Sequence, residues 1–85
     1  MYRIVFTKQA TRVLRKMSRN TAQLIQEKLE QVAQDPYSRN PNLTKLRGRS
    51  GYRLRVGDWR VIYELEDDQL RILVLKIGPR GGVYQ

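Results

Sequence analysis

Gly51-Tyr-Arg-Leu-Arg-Val-Gly-Asp-Trp-Arg-Val-Ile-Tyr63 is the stretch on which the fold turns. Tyr52–Val56 alternates apolar and charged residues, the period of a half-buried strand. Gly57-Asp58 is a two-residue turn signal, and glycine in first place suits a type II′ hairpin. Trp59–Leu65 is the returning strand. Counting outward from that turn sets Val56 opposite Trp59, Arg55 opposite Arg60, Leu54 opposite Val61 and Arg53 opposite Ile62. Tyr52, Leu54, Val56, Trp59, Val61, Tyr63 and Leu65 then share one apolar face that needs a cover, which makes the three aromatic residues core. Arg53, Arg55 and Arg60 share the other face.

Toward the C terminus, Glu66-Asp67-Asp68-Gln69 reads as a turn and Leu70–Ile77 as a last strand ended by Gly78-Pro79. This register sets Glu64 opposite Arg71 and Arg60 opposite Leu75. The strand runs back toward Gly57-Asp58, so Arg80 emerges near Arg55 and Arg60. Toward the N terminus, Pro36–Thr44 is a polar loop, and before it the period becomes 3.6. Ala22, Ile25, Leu29, Val32 and Ala33 fall on one face of a helix capped by Asn20, with Gln23 three residues on, and ended by Asp35-Pro36. Ala10, Val13, Leu14 and Met17 form the stripe of an earlier helix capped by Thr7, and Tyr2–Phe6 is a first strand. The order β-α-α-β-β-β predicts an α+β fold, one domain over residues 1–85. A helical hairpin packs on one face of a mostly antiparallel four-stranded sheet.

The chain has 85 residues and a formal net charge of +9, with twelve Arg and five Lys. The guanidinium fork matches phosphate oxygens, so this bias points to nucleic acid. There is no Cys and no His. That removes a thiolate nucleophile, thiolate metal ligands and the usual general base near neutral pH. Ser18, Ser38 and Ser50 fall in loops with no His to activate them. Four of the eight acidic residues are Glu64, Glu66, Asp67 and Asp68, one predicted to pair with Arg71 and three at a turn tip far from the arginines. No metal and no cofactor are expected. Met1–Phe6 carries an Arg inside a short apolar run, unlike a secretion signal, and no stretch approaches a membrane span. The expected location is cytoplasmic, with no membrane partner.

Two arginines facing each other across a hairpin, with a third diagonal to them, oppose folding by a few tenths to about 1 kcal/mol. A bound anion would reverse that sign. A solvated basic face with splayed side chains is the plainer alternative. RNA supplies its own nucleophile, since its 2′-OH can attack the adjacent phosphorus. A protein then needs to orient the backbone, stabilise charge on phosphorus and assist proton transfer. Arginine suits the second task but stays protonated (pKa about 12.5 or above). Tyr84 is the neutral titratable group near that end, with a reference pKa of about 10; a frayed terminal residue would look the same.

Leu46-Arg47-Gly48, Gly51–Tyr63, Val74-Leu-Lys-Ile-Gly-Pro-Arg80 and Val83-Tyr84, in that order, resemble the RelE/ParE superfamily of type II toxins. The resemblance to RelE-type members implies a toxin that enters the ribosomal A site on the small subunit and cleaves mRNA there without a metal. On it, Arg53 and Arg55 match a basic pair on the second strand. Arg60 matches the arginine that binds the scissile phosphate. Arg80 matches a leaving-group acid or charge stabiliser, and Tyr84 a tyrosine that stacks on the base or orients its 2′-OH. The founding RelE pattern has lysines at the first two positions. Arginine there can hold phosphate but does not readily act as a base.

Lys8, Arg12, Arg15, Lys16 and Arg19 form a basic helix face that fits docking on ribosomal RNA, as does Arg47-Gly-Arg49; a solvated helix face has the same pattern. The resemblance further implies a cognate antitoxin, a segment of which folds over the arginines. Two other functions sit on the same likeness. One is a ParE-like toxin that inhibits DNA gyrase by protein binding, although such members generally lack the arginine and terminal tyrosine set. The other is a non-catalytic RNA-binding module.

Overall fold

The structure is a computed structural model in which residues 1–82 are described. Strand β1 (Arg3–Phe6) leads into helix α1 (Lys8–Lys16) and helix α2 (Arg19–Gln34), followed by β2 (Leu43–Lys45), β3 (Tyr52–Val56), β4 (Trp59–Glu66) and β5 (Arg71–Pro79). One sheet holds all five strands in the order β1-β5-β4-β3-β2. The β1–β5 pairing is parallel and the others are antiparallel. The expected architecture holds, with one strand more than the sequence reading counted. β2 is three residues long, too short to show a period, and it lies inside the stretch read as loop and its border.

Thr7 caps α1 as expected, its hydroxyl accepting from the Ala10 N–H at 3.3 Å. The Arg15 and Lys16 cations in the last turn complement the helix dipole. The cap of α2 is Ser18, not Asn20. Its hydroxyl accepts from the Thr21 N–H at 3.3 Å and donates to Thr21 Oγ1 at 2.8 Å, so the helix begins two residues earlier than read. Ala10 from α1 and Ile25, Leu29, Val32 and Ala33 from α2 are buried against Leu54, Val56, Val61, Tyr63, Ile72, Val74 and Ile77 of the sheet. Tyr52, Trp59 and Leu65 pack on the same core, so all seven residues assigned to the apolar face lie there.

The β3–β4 register is the one counted from the turn, and Gly57 alone of the turn pair has a positive φ (59°), as a type II′ turn requires. The β4–β5 register is not. Asp67–Gln69 winds into a 3₁₀ turn and Leu70 takes a left-handed conformation (φ 51°), so the connection consumes residues 67–70. Pairing therefore starts with Glu66 opposite Arg71, and Glu64 faces Leu73 instead. Glu66 and Arg71 form an ion pair that holds the Glu66 carboxyl below its usual range. A bulge between Ile62 and Tyr63 then shifts the register again: Tyr63 faces Val74 while Ile62 faces Lys76. Arg60 consequently faces Gly78, not Leu75, and Trp59 faces Pro79.

Gly51 enters β3 at φ 114°, and a Cβ there would stand 3.0 Å from the Tyr63 carbonyl oxygen. Both the backbone region and the space demand glycine. Gly51→Ala is expected to cost about 1–3 kcal/mol, read as a lowered midpoint in urea at unchanged m-value.

At the opposite end of the sheet from the Gly57-Asp58 turn, Asp67 accepts hydrogen bonds from the hydroxyls of Tyr37 and Tyr2, the latter at 2.7 Å. These lower the Asp67 pKa and raise that of Tyr37 to about 12. A carboxyl depressed on folding contributes stability above its unfolded pKa of about 3.9 and loses it as pH falls further. The thermal stability of Asp67→Asn should therefore lie below wild type at pH 7 and converge on it in the acid limb below about pH 4. Parallel curves through that limb would show that the carboxylate is not the acceptor that matters.

Candidate nucleic-acid interface

The sheet face away from the helices carries the charge. Arg53 and Arg55 come from β3, Arg60 from β4, and Arg80 follows β5. The hairpin register puts Arg55 directly across from Arg60. The shifted β4–β5 register ends β5 level with the hairpin turn, where the Arg80 N–H donates to the Asp58 carbonyl at 2.8 Å. All four arginines line one open cleft of about 460 Å³, completed by Pro41, Asn42, Thr44 and Gly81. Arg53 and Arg60 are half-buried; Arg55 and Arg80 are exposed. The sequence brought these four together by topology, and the structure does so in space. Tyr84 lies outside the described residues.

Neutral groups position two of the guanidiniums. Arg55 donates through Nε and Nη2 to Asn42 Oδ1 at 3.2 and 2.7 Å, and its backbone N–H donates to the Asn42 carbonyl at 2.8 Å. Arg60 Nη1 donates to the carbonyls of Gly57 and Trp59, each at 3.0 Å. These acceptors fix direction without cancelling charge, leaving each fork's remaining donors for an anion. Asn42 was missed by the sequence reading. Its signal was the Asn40-Pro41-Asn42 punctuation just before β2, which reads as turn chemistry and says nothing about a side-chain acceptor. Asn40 itself builds that turn, its Oδ1 accepting from the Asn42 N–H at 2.9 Å.

The other predicted basic residues separate into two places. Lys8, Arg12, Arg15 and Lys16 line a hollow of about 470 Å³ with Phe6 and Thr11, on the α1 side of the molecule. Arg19 starts α2 and is exposed outside that hollow. Arg47 and Arg49 line a third hollow, of about 450 Å³, with Thr44, Lys45, Leu46 and Arg53. Among the described residues, no group of three or more acidic, His or Cys side chains is placed to hold a metal ion. No helix is long and apolar enough to cross a membrane.

Two layers, a five-stranded sheet with both helices on one face and a cationic cleft on the other, define the class: a small basic α+β domain with an anion-binding sheet face. Residues 4–84 match the family described as the ParE toxin of type II toxin–antitoxin systems, and the chain belongs to that family within the RelE/ParE superfamily. No curated protein is a significant match. Solved structures are. A chain of the archaeal RelE–RelB complex from Pyrococcus horikoshii is 30% identical with a TM-score of 0.81, covering 95% of this chain and 97% of that one. The Escherichia coli RelBE toxin–antitoxin complex holds a chain 26% identical with a TM-score of 0.74, covering 93% and 96%. The isolated Escherichia coli RelE toxin, 24% identical at a TM-score of 0.80 over 94% of this chain and 85% of that one, shares the fold.

Proposed function

We propose that this type II toxin is a metal-independent endoribonuclease that enters the ribosomal A site and cuts the mRNA there, inhibiting translation. The observation that carries the reading is the convergence of Arg53, Arg55, Arg60 and Arg80 on one cleft. In the reaction the RNA 2′-oxygen bonds to the adjacent phosphorus and the bond from phosphorus to the 5′-oxygen breaks. A 2′,3′-cyclic phosphate and a free 5′-OH result. Arg60 and Arg80 neutralise the charge gathering on the non-bridging oxygens, a role worth roughly 2.7–4 kcal/mol for one preorganised donor. Arg53 and Arg55 hold the backbone, and Arg80 also assists the departing oxygen. Tyr84 takes the base-stacking or 2′-OH-orienting role. The basic α1 hollow and Arg19 dock on ribosomal RNA, where charge neutralisation supplies affinity without reading sequence.

The partner is a cognate antitoxin, in keeping with structural neighbours solved as RelE–RelB complexes. An acidic segment of it folding over the cleft would oppose the repulsion among the arginines. Mapping mRNA 5′ ends after expression, with gyrase supercoiling assayed in parallel, tests the reading. Cleavage within translated codons, lost in Arg80→Ala, supports it. Blocked supercoiling with intact mRNA replaces it by gyrase inhibition, and RNA binding without either effect replaces it by a non-catalytic module.

A further inference from the structure

A guanidinium offers an anion two edges on which a pair of N–H bonds lies parallel: a side edge, Nε with one Nη, and an end edge, Nη1 with Nη2. In Arg55 the fold makes the choice. Nε and Nη2 both donate to Asn42 Oδ1, at 3.2 and 2.7 Å, so the side edge is spent and the end edge is left for a ligand. Arginine carries donors only, so the amide has to turn its oxygen toward it, and two donors fill the two lone pairs of that oxygen.

Asn42 is held as firmly as it holds. Its N–H donates to Asn40 Oδ1 at 2.9 Å, and its carbonyl accepts from the Arg55 N–H at 2.8 Å. The next residue, Leu43, donates its N–H to the Asn40 carbonyl at 3.1 Å and packs against the main core. Backbone and side chain of Asn42 therefore meet the same residue of β3, and both partners line the cleft.

The residue type carries the argument further. Aspartate has nearly the same shape as asparagine and would accept the same two hydrogen bonds more strongly. It would also offset the repulsion between Arg55 and Arg60, which face each other across the hairpin. For folding alone the acid is the better choice. The protein has the neutral amide there, and no carboxylate is among the described residues that line the cleft. An amide gives the acceptor geometry and leaves the positive charge for an anion.

We infer that Asn42 is a positioning residue for RNA cleavage: it holds Arg55 so that the end edge of an uncompensated guanidinium meets the substrate phosphate. The inference rests on the endoribonuclease reading. Its test measures single-turnover cleavage on mRNA-programmed ribosomes, and the urea midpoint of the free toxin, for Asn42→Ala and Asn42→Asp. Alanine releases the guanidinium from its fixed direction and should slow cleavage about three- to tenfold. Aspartate keeps both hydrogen bonds but cancels the charge. It should slow cleavage about tenfold or more while raising the urea midpoint in low salt, a split that a merely structural role does not produce. In the Arg55→Ala background, Asn42→Ala should change the rate less than about twofold, because the group it acts through is gone. An alanine effect of equal size in both backgrounds would overturn the inference. So would wild-type cleavage by Asn42→Asp, or rates that fall in step with lowered urea midpoints in both single variants. Wild-type toxin that leaves mRNA intact would instead overturn the endoribonuclease reading, and the role of Asn42 with it.

Discussion

Arg60→Ala is expected to lower single-turnover mRNA cleavage on programmed ribosomes by about 10²–10³-fold, while the folded protein becomes more stable by about 0.2–1 kcal/mol. The two effects share one cause. Arg60 stands directly opposite Arg55 in the β3–β4 ladder, a like-charge pair that costs stability with the cleft empty. Under the proposed function, the same adjacency would supply two guanidinium forks to one phosphate once substrate arrives. Deleting Arg60 also releases the carbonyls of Gly57 and Trp59, which lie at a hairpin turn where water can replace the lost donor. The stability gain should shrink as salt is raised, because the repulsion is between solvent-facing charges. Arg60→Lys separates charge from geometry: it keeps the cation but not the fork, and should fall between wild type and alanine. A rate loss below tenfold for alanine, or a loss matched by lowered thermal stability, would remove Arg60 from the chemistry.

This opposition between stability and function is also what made the site legible from sequence. The Gly57-Asp58 turn fixed a register by counting, and the register forced arginines into positions that folding alone disfavours. Arg80 was placed by strand direction. That argument survived a β4–β5 register wrong by three residues at Arg60, because the polarity of the strand does not depend on register. What stayed hidden had physical reasons. The left-handed Leu70 is a residue that propensity argues against, since it lacks the glycine or asparagine that usually marks such a turn. The Ile62/Tyr63 bulge sits in a run that is apolar on both faces, where alternation gives no signal: Ile62 faces the small core with Leu46 and Leu75, and Tyr63 the main one. The Ser18 and Asn20 caps differ only in which side chain reaches a backbone N–H, and both residue types are good caps. Asn42 was invisible because its role depends on β2 pairing beside β3, a contact carried by three residues.

The second large effect belongs to the residue beside that bulge. Tyr63 is fully buried and stacks on Tyr52, with ring centroids 5.5 Å apart and planes 22° from parallel. Truncating such a ring removes its transfer free energy and leaves a cavity, so Tyr63→Ala is expected to cost about 3–5 kcal/mol. A domain of this length has roughly 4–13 kcal/mol in total. The variant should therefore be partly unfolded at 37 °C, with cleavage falling in step with the unfolded fraction although no cleft residue has changed. Tyr63→Phe isolates the ring from its hydroxyl. That hydroxyl is buried with no hydrogen-bond partner among the described residues, and burial pushes its pKa upward, so the phenol stays neutral. Removing an unpaired buried hydroxyl relieves a desolvation cost, and Tyr63→Phe should be neutral or gain up to about 1 kcal/mol in a urea midpoint measured at constant m-value. A phenylalanine variant as damaged as the alanine one would mean that the hydroxyl, rather than the packed ring, holds β4 in the register that aims Arg60 at the cleft.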